Sequence, residues 1–414
     1  MIPVLKNFSK IIEGDNMNKI PWGNNENLDN DQFFNRLIEL NHLKQMLLTT
    51  QDETPPNILL TGIRGVGKTV FLKKIKRELE DDGFLVIYIN FSQAECFRRK
   101  KMSINALMQF YFKKTLSSCN NNILENASEK LEKYLKTNNF HFNEFQEVNK
   151  IPIPIFTSEI DNQELMEYVL TFPEKIYKSN KDKLKGVIIL IDEFQIIKEL
   201  NDYKESFLWV IRSYIQDQRN IAYVFTGSMS LNDALISEIS GHNGVFGGRM
   251  ISFHLSPFSK NTVKQYLNEK KPGLKFNEDG FNSFYEYTFG IPAYINNFAK
   301  ILSENIEFTS ESITREFNES IYYISSNLVN IWFELSYKNK IIIISLLNGP
   351  IRRIDIAKYL NVKSGSLSYN LKELENLSLI QKSEDNLYSI SEPLLEKWLK
   401  SEFNEKGEYP FTII

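Results

Sequence analysis

Between a short apolar run, NILLT at residues 57–61, and a run with helical spacing, VFLKKIKREL at 70–79, lies the octapeptide GIRGVGKT. Gly62, Gly67, Lys68 and Thr69 satisfy G-x-x-x-x-G-K-[ST], and a strand before with a helix after is the context in which that pattern cradles phosphate. Glycines at 62, 65 and 67 permit φ > 0, so the backbone N–H groups of Gly62, Ile63, Arg64, Gly65, Val66, Gly67, Lys68, Thr69 and Val70 can turn inward around a β-phosphate. The Lys68 ammonium would meet the β- and γ-phosphates, and the Thr69 hydroxyl would face Mg²⁺. The N-terminus of the helix that follows adds its dipole. The bare pattern arises by chance in about one chain in a hundred of this length. Its flanking elements make an idle glycine turn the weaker reading.

A loop of this kind follows a strand of a parallel sheet, and four more apolar segments supply the other strands: FLVIYINF (84–91), GVIILIDEF (186–194), IAYVFTGS (221–228) and MISFHLSPF (250–258). Several are nearly continuous in Val, Ile and Leu, as in strands covered on both faces. Helical patterns between them predict an α/β fold with a five-stranded parallel sheet. The third segment ends in Asp192 and Glu193, at the edge where open α/β sheets bind ligands. An acid after VIILI is often just a strand end. Behind a phosphate loop, Asp192 becomes a candidate for the Mg²⁺ shell and Glu193 for the group that orients and polarises an attacking water. The pair favours hydrolysis over transfer to a small acceptor.

The fourth segment ends in Thr226, Gly227 and Ser228, polar residues placed to sense a γ-phosphate or, alternatively, to cap the helix MSLNDALISEI. Arg249, in GVFGGRMISF, follows a glycine-rich stretch. It is a candidate for stabilising transition-state charge, in its own chain or a neighbour's, against the plainer reading of a surface arginine.

The 414 residues exceed one ordinary core, and 42% hydrophobic with 24% charged residues suits two or three folded domains. A net charge of −3 gives no global attraction to nucleic acid or acidic membranes. Two cysteines and four scattered histidines exclude a disulfide framework and argue against a zinc site within one chain. The N-terminus lacks a secretory pattern, and no apolar stretch approaches the roughly 20 residues that span a bilayer. The expectation is a cytoplasmic protein with no membrane partner. Residues 1–30 read as a polar extension, 31–255 as the sheet domain with a helical insertion at about 97–183, and 256–336 as a helical subdomain. A distinct unit occupies 337–402, with a tail at 403–414.

Taken in order, FFNRLIELNHLK, GIRGVGKT, IILIDEFQ, FTGS, GGRMISFHLSPFS and TFGIPAYI resemble the archaeal-type ATPases of the MNS branch of the STAND class, P-loop (ASCE) proteins related to AAA+ ATPases. The resemblance covers roughly residues 31–400. It implies ATP and Mg²⁺ as ligands, a nucleotide-binding core, a helical lid and a winged-helix domain. The family's first box, F-x-G-R-x-x-E-L, is matched at Phe34, Arg36, Glu39 and Leu40, but Asn35 stands in place of its glycine. Gly290, Ile291 and Pro292 match a Gly-x-Pro turn by which such lids pack on nucleotide, so the resemblance makes Pro292 a nucleotide contact; on their own they read as a helix start with Pro near N1.

Within 337–400, residues 354–360, 361–365 and 366–377 read as helix, turn and recognition-type helix, and 380–391 as the wing. Ten Lys or Arg there face seven Asp or Glu, a weak advertisement for phosphate contacts, although Arg352, Arg353, Lys358, Lys363, Lys372 and Lys382 could share one face. The leading expectation is a Mg²⁺-dependent ATPase that acts as a switch, moving lid and winged helix with nucleotide state and working on a protein partner or by self-association. The alternative is a DNA-binding winged-helix regulator with a vestigial ATP site. A small-molecule P-loop kinase is a weaker third reading.

Overall fold

The computed structural model describes residues 20–21, 33–99, 102–125, 145–148, 151–154, 162–227, 239, 244–383 and 385–411. Five strands, β1 (Asn57–Thr61), β2 (Leu85–Asn90), β3 (Val187–Asp192), β4 (Ile221–Thr226) and β5 (Ile251–His254), form one sheet in the order β2-β3-β4-β1-β5. Every neighbouring pair is parallel. Thus β4 separates the strand that feeds the glycine loop from the strand that ends in two acids. Every residue of β3 and β4 is buried, which is why their sequences run apolar without alternation. On the outer strand β5, by contrast, Ile251 is left exposed.

Helices α1 (Leu37–Leu48) and α2 (Lys68–Asp81) cover one face through Leu40, Leu43, Leu47, Phe71, Leu72 and Ile75. The other face is covered by α3 (Ile104–Ser118), α4 (Asn162–Ser179) and α5 (Lys204–Asp217). The region expected as an inserted helical excursion therefore supplies two helices to the sheet's own core, with Phe112 and Phe172 ring centroids 4.7 Å apart. It is also not wholly helical. Residues 145–148 pair antiparallel with 151–154, where Pro152 and Pro154 lack the N–H groups a helix interior needs. The part of the expected helical insertion at 126–144 lies outside the described residues.

After Ser256 come α6 (Lys260–Lys270), α7 (Glu278–Thr288), α8 (Pro292–Ile301), α9 (Ser310–Ile324) and α10 (Ser326–Glu334). The expectation that strands stop there needs one correction: Lys275–Phe276 pairs in parallel with Glu307–Phe308. The C-terminal module contains α11 (Tyr337–Ser345), α12 (Arg353–Tyr359), α13 (Ser368–Asn376) and α14 (Pro393–Lys406). Its three-stranded antiparallel sheet joins residues 351–352, 387–390 and 380–382. The five-helix subdomain and this module share one continuous hydrophobic core, running from Phe258 through Trp332 to Trp398 and Leu399.

Candidate nucleotide site

The glycine loop leaves β1 at Thr61 and enters α2 at Lys68. Gly62, Gly65 and Gly67 have φ of 149°, 81° and 100°, values that side chains bearing a Cβ rarely adopt. The closest approach is at Gly62, where a Cβ would lie 2.7 Å from the Leu255 carbonyl oxygen. Arg64, Gly65, Gly67, Lys68, Thr69 and Val70 line a cavity of about 690 Å³. Gly62, Ile63 and Val66 are not in that lining; Val66 is buried in the core beside Leu255.

Lys68 is buried, and its ammonium donates to the carbonyl oxygens of Gly62 at 2.6 Å and Ile63 at 3.0 Å. Burial pushes its pKa down to about 8, against the partial restoring pull of Glu193 and Asp192. Asp192, 1% exposed at the end of β3, accepts from the Thr69 hydroxyl at 2.7 Å, from the Tyr88 hydroxyl at 2.9 Å and from the Glu193 N–H at 2.9 Å. Burial raises its pKa, and those donors oppose the rise. The two acids and the lysine foreseen from sequence therefore do converge.

Glu193 holds a left-handed backbone, φ 55°, an uncommon conformation for a residue with a Cβ. Its side chain lines the cavity and accepts from Gln195 Nε2. Burial, then the neighbouring Asp192, raises its pKa.

A hydroxyl and a carboxylate in contact are hard oxygen donors of the kind Mg²⁺ takes. Among the described residues no cluster of three or more His, Cys, Asp or Glu could hold a metal. A Mg²⁺ here would accordingly draw its other ligands from phosphate and water, as is usual for this ion. Thr69 and Asp192 fit that role.

Other expected residues fall elsewhere. Pro292 is the first residue of α8 and does not line the cavity; its successors Ala293, Tyr294 and Asn297 do. The Ala293 N–H donates to Gly65 O at 3.2 Å, which seats α8 directly on the glycine loop. Arg249 is exposed, outside the cavity lining, on a turn closed by its own N–H to Phe246 O. Ser228 lies outside the described residues. Two residues before it, Thr226 is fully buried, and its hydroxyl has no hydrogen-bond partner among the described residues.

Sequence reasoning missed several cavity and supporting groups. Tyr88, on β2, carried one signal, a hydroxyl between the aliphatic residues Ile87 and Ile89. Glu392, in the C-terminal module, carried none. It lines the cavity, is buried, and accepts from Tyr294 Oη at 2.6 Å and from the Leu394 N–H at 3.3 Å. Burial raises its pKa, while Tyr294, the Leu394 N–H and, beyond them, the positive charge of Arg64 oppose the rise. Leu377, Ser378 and Leu379 of the same module and Tyr322 and Tyr323 of α9 complete that side of the wall.

The family described as an ATPase domain predominantly from Archaea matches residues 33–298. An uncharacterized ATP-binding protein of Methanocaldococcus jannaschii is 22% identical over 320 residues, covering 72% of this chain and 79% of that protein. The Walker-type ATPase of Pyrococcus abyssi superposes with a TM-score of 0.56 at 17% identity, covering 91% of this chain and 99% of that one; at that identity the likeness speaks to the fold alone.

Proposed function

The chain belongs to the family of ATPase domains found predominantly in Archaea, and on that premise we propose that it is a Mg²⁺-dependent ATPase of the STAND type. In this reading it is a switch whose nucleotide state sets how the lid and a C-terminal winged helix sit on the core. The observation that carries the proposal is that one cavity of about 690 Å³ is walled by the glycine loop, by α8 to α10 and by Leu377, Ser378, Leu379 and Glu392 of the C-terminal module. A ligand that fills it touches all three parts at once.

In this reading the loop amides bind phosphate and Lys68 neutralises it, while Thr69 and Asp192 would hold Mg²⁺. The metal, when bound, would spread the charge of the phosphate oxygens. Glu193, its carboxylate oriented by Gln195, would accept hydrogen bonds from a water and turn it towards the γ-phosphate. In-line attack of that water on phosphorus forms the new P–O bond and expels ADP, and the proton released passes to solvent or phosphate. In this reading Thr226 and Ser228, which the sequence sets at the end of β4, are the candidates for sensing a γ-phosphate. Arg249, exposed and away from the chain's own cavity, suits delivery to a neighbouring subunit.

The reading as a DNA-binding regulator has less support. Arg353 is committed to the turn of its own module, donating to Ser364 O, Gly365 O and Ser368 Oγ, and Lys358 pairs with Asp355 at 3.4 Å. The test is ATP binding by calorimetry and turnover by phosphate release. Lys68→Ala is expected to weaken ATP binding by at least about 100-fold and Glu193→Gln to abolish turnover while retaining binding, the loss of a charge-assisted contact and of water positioning respectively. Wild-type protein that binds no ATP would overturn the proposal.

A further inference from the structure

Tyr88 stands apart from the rest of β2. Its register partner on β3 is Leu190, two positions before Asn90 meets Asp192, and its ring packs with the core on the α2 side of the sheet. Phenylalanine would fill that space equally well; what tyrosine adds is a hydroxyl that ends 2.9 Å from Asp192 Oδ2. The same oxygen accepts from Thr69 at 2.7 Å, while Oδ1 is held by the Glu193 N–H.

We propose that Tyr88 is a positioning residue for the metal site: by fixing Asp192 Oδ2 it keeps the proton of Thr69 committed to the carboxylate and the Thr69 oxygen lone pairs turned towards Mg²⁺. This rests on the nucleotide reading above. A hydroxyl acts as a Lewis base towards a cation only with its proton directed elsewhere, and the acceptor here must not swing. Asp192 is almost wholly buried, where an undersupplied carboxylate would rotate towards any donor or be neutralised. Two hydroxyls on one oxygen and an amide on the other define its plane. Tyr88 then stands to Asp192 as outer-shell partners stand to metal ligands, whose loss typically costs 10- to 100-fold in metal affinity.

The test uses full-length protein, a fluorescent ATP analogue and two conditions, EDTA and a Mg²⁺ titration. For Tyr88→Phe we expect affinity in EDTA within about twofold of wild type, because the loop amides and Lys68 are untouched, and a half-saturating Mg²⁺ concentration raised about tenfold. An unchanged Mg²⁺ requirement overturns the inference. So does an equal loss in both conditions, which would mark Tyr88 as a support of the fold rather than of the metal ligand. A wild-type response flat in Mg²⁺ would remove the metal reading and this inference with it. A Mg²⁺-responsive wild type matched by Tyr88→Phe would remove this inference alone.

Discussion

Lys68 shows how a residue's chemistry is set by where its neighbours put it. Its ammonium is shut away from water and held by two loop carbonyls rather than by a salt bridge, and burial brings its pKa down to about 8. A polyphosphate supplies the missing countercharge and raises that pKa. Binding of metal-free ATP should therefore take up a proton above pH 8, and affinity should be flat below about pH 7 and fall by up to tenfold per unit above pH 8. Calorimetry in EDTA across pH 6.5 to 9.5 measures this. For nucleotide-free protein the sign is opposite. The unfolded lysine, at 10.5, binds its proton more tightly than the folded one, so this residue's contribution to stability rises with pH from about 8 to 10.5. Asn35 belongs to the same scale. It replaces a family glycine, and it takes φ 57°, a left-handed conformation that asparagine tolerates better than most residues. Asn35 thus adopts a left-handed turn without a glycine, and Arg36 beyond it reaches Ser256 O at 2.5 Å and stacks over Phe258.

At the scale of elements, the junction between the sheet and the five-helix subdomain turns on Gly290. Its φ is 67°, and a Cβ there would overlap the Phe258 carbonyl oxygen, while its own carbonyl accepts from the Phe258 N–H at 2.7 Å. The linker that follows β5 and the start of α8 are therefore locked together across that glycine. Gly290→Ala combines a left-handed backbone with a steric overlap and should cost at least about 2 kcal/mol. Chemical denaturation should register the loss, and because α8 sits on the glycine loop through Ala293, ATP affinity should fall with it. A Gly290→Ala protein with wild-type stability would show that the junction relaxes freely. The elements themselves were largely legible: five apolar segments became five strands, trimmed at their ends. What the local pattern could not show was that 104–118 and 162–179 pack on the sheet, because helical periodicity reveals an apolar face and not its partner.

For the whole molecule, the five-helix subdomain and the C-terminal module are separate in sequence but continuous in core. Trp332 of α10 and Trp398 of α14 meet at 6.2 Å in an edge-to-face pair, Trp332 Nε1 donates to Pro410 O at 2.6 Å, and Lys397 reaches Glu286 at 3.5 Å. In the proposed switch, then, the moving body is lid plus module, turning on the core, rather than two domains turning independently. Trp332→Ala and Trp398→Ala, one on each side of the sequence boundary, should each cost about 3–5 kcal/mol and lower the same calorimetric transition. Two transitions responding separately would contradict a shared core. The buried Tyr294–Glu392 hydrogen bond closes the same seam on the side facing the cavity.

The amino-acid order was enough to locate the glycine loop between strand and helix, the Asp192–Glu193 pair and the strand-helix alternation, because each depends on local rules: glycine's freedom at φ > 0, the burial of a parallel strand, the charge of a terminal acid. It could not supply Tyr88 on Asp192, Ala293 on Gly65 or Glu392 in the cavity wall. Those contacts join residues 104, 228 and hundreds of positions apart from their partners or from the loop they face, and which chain segments meet across such distances is settled by the packing of whole layers, where no short-range pattern reaches.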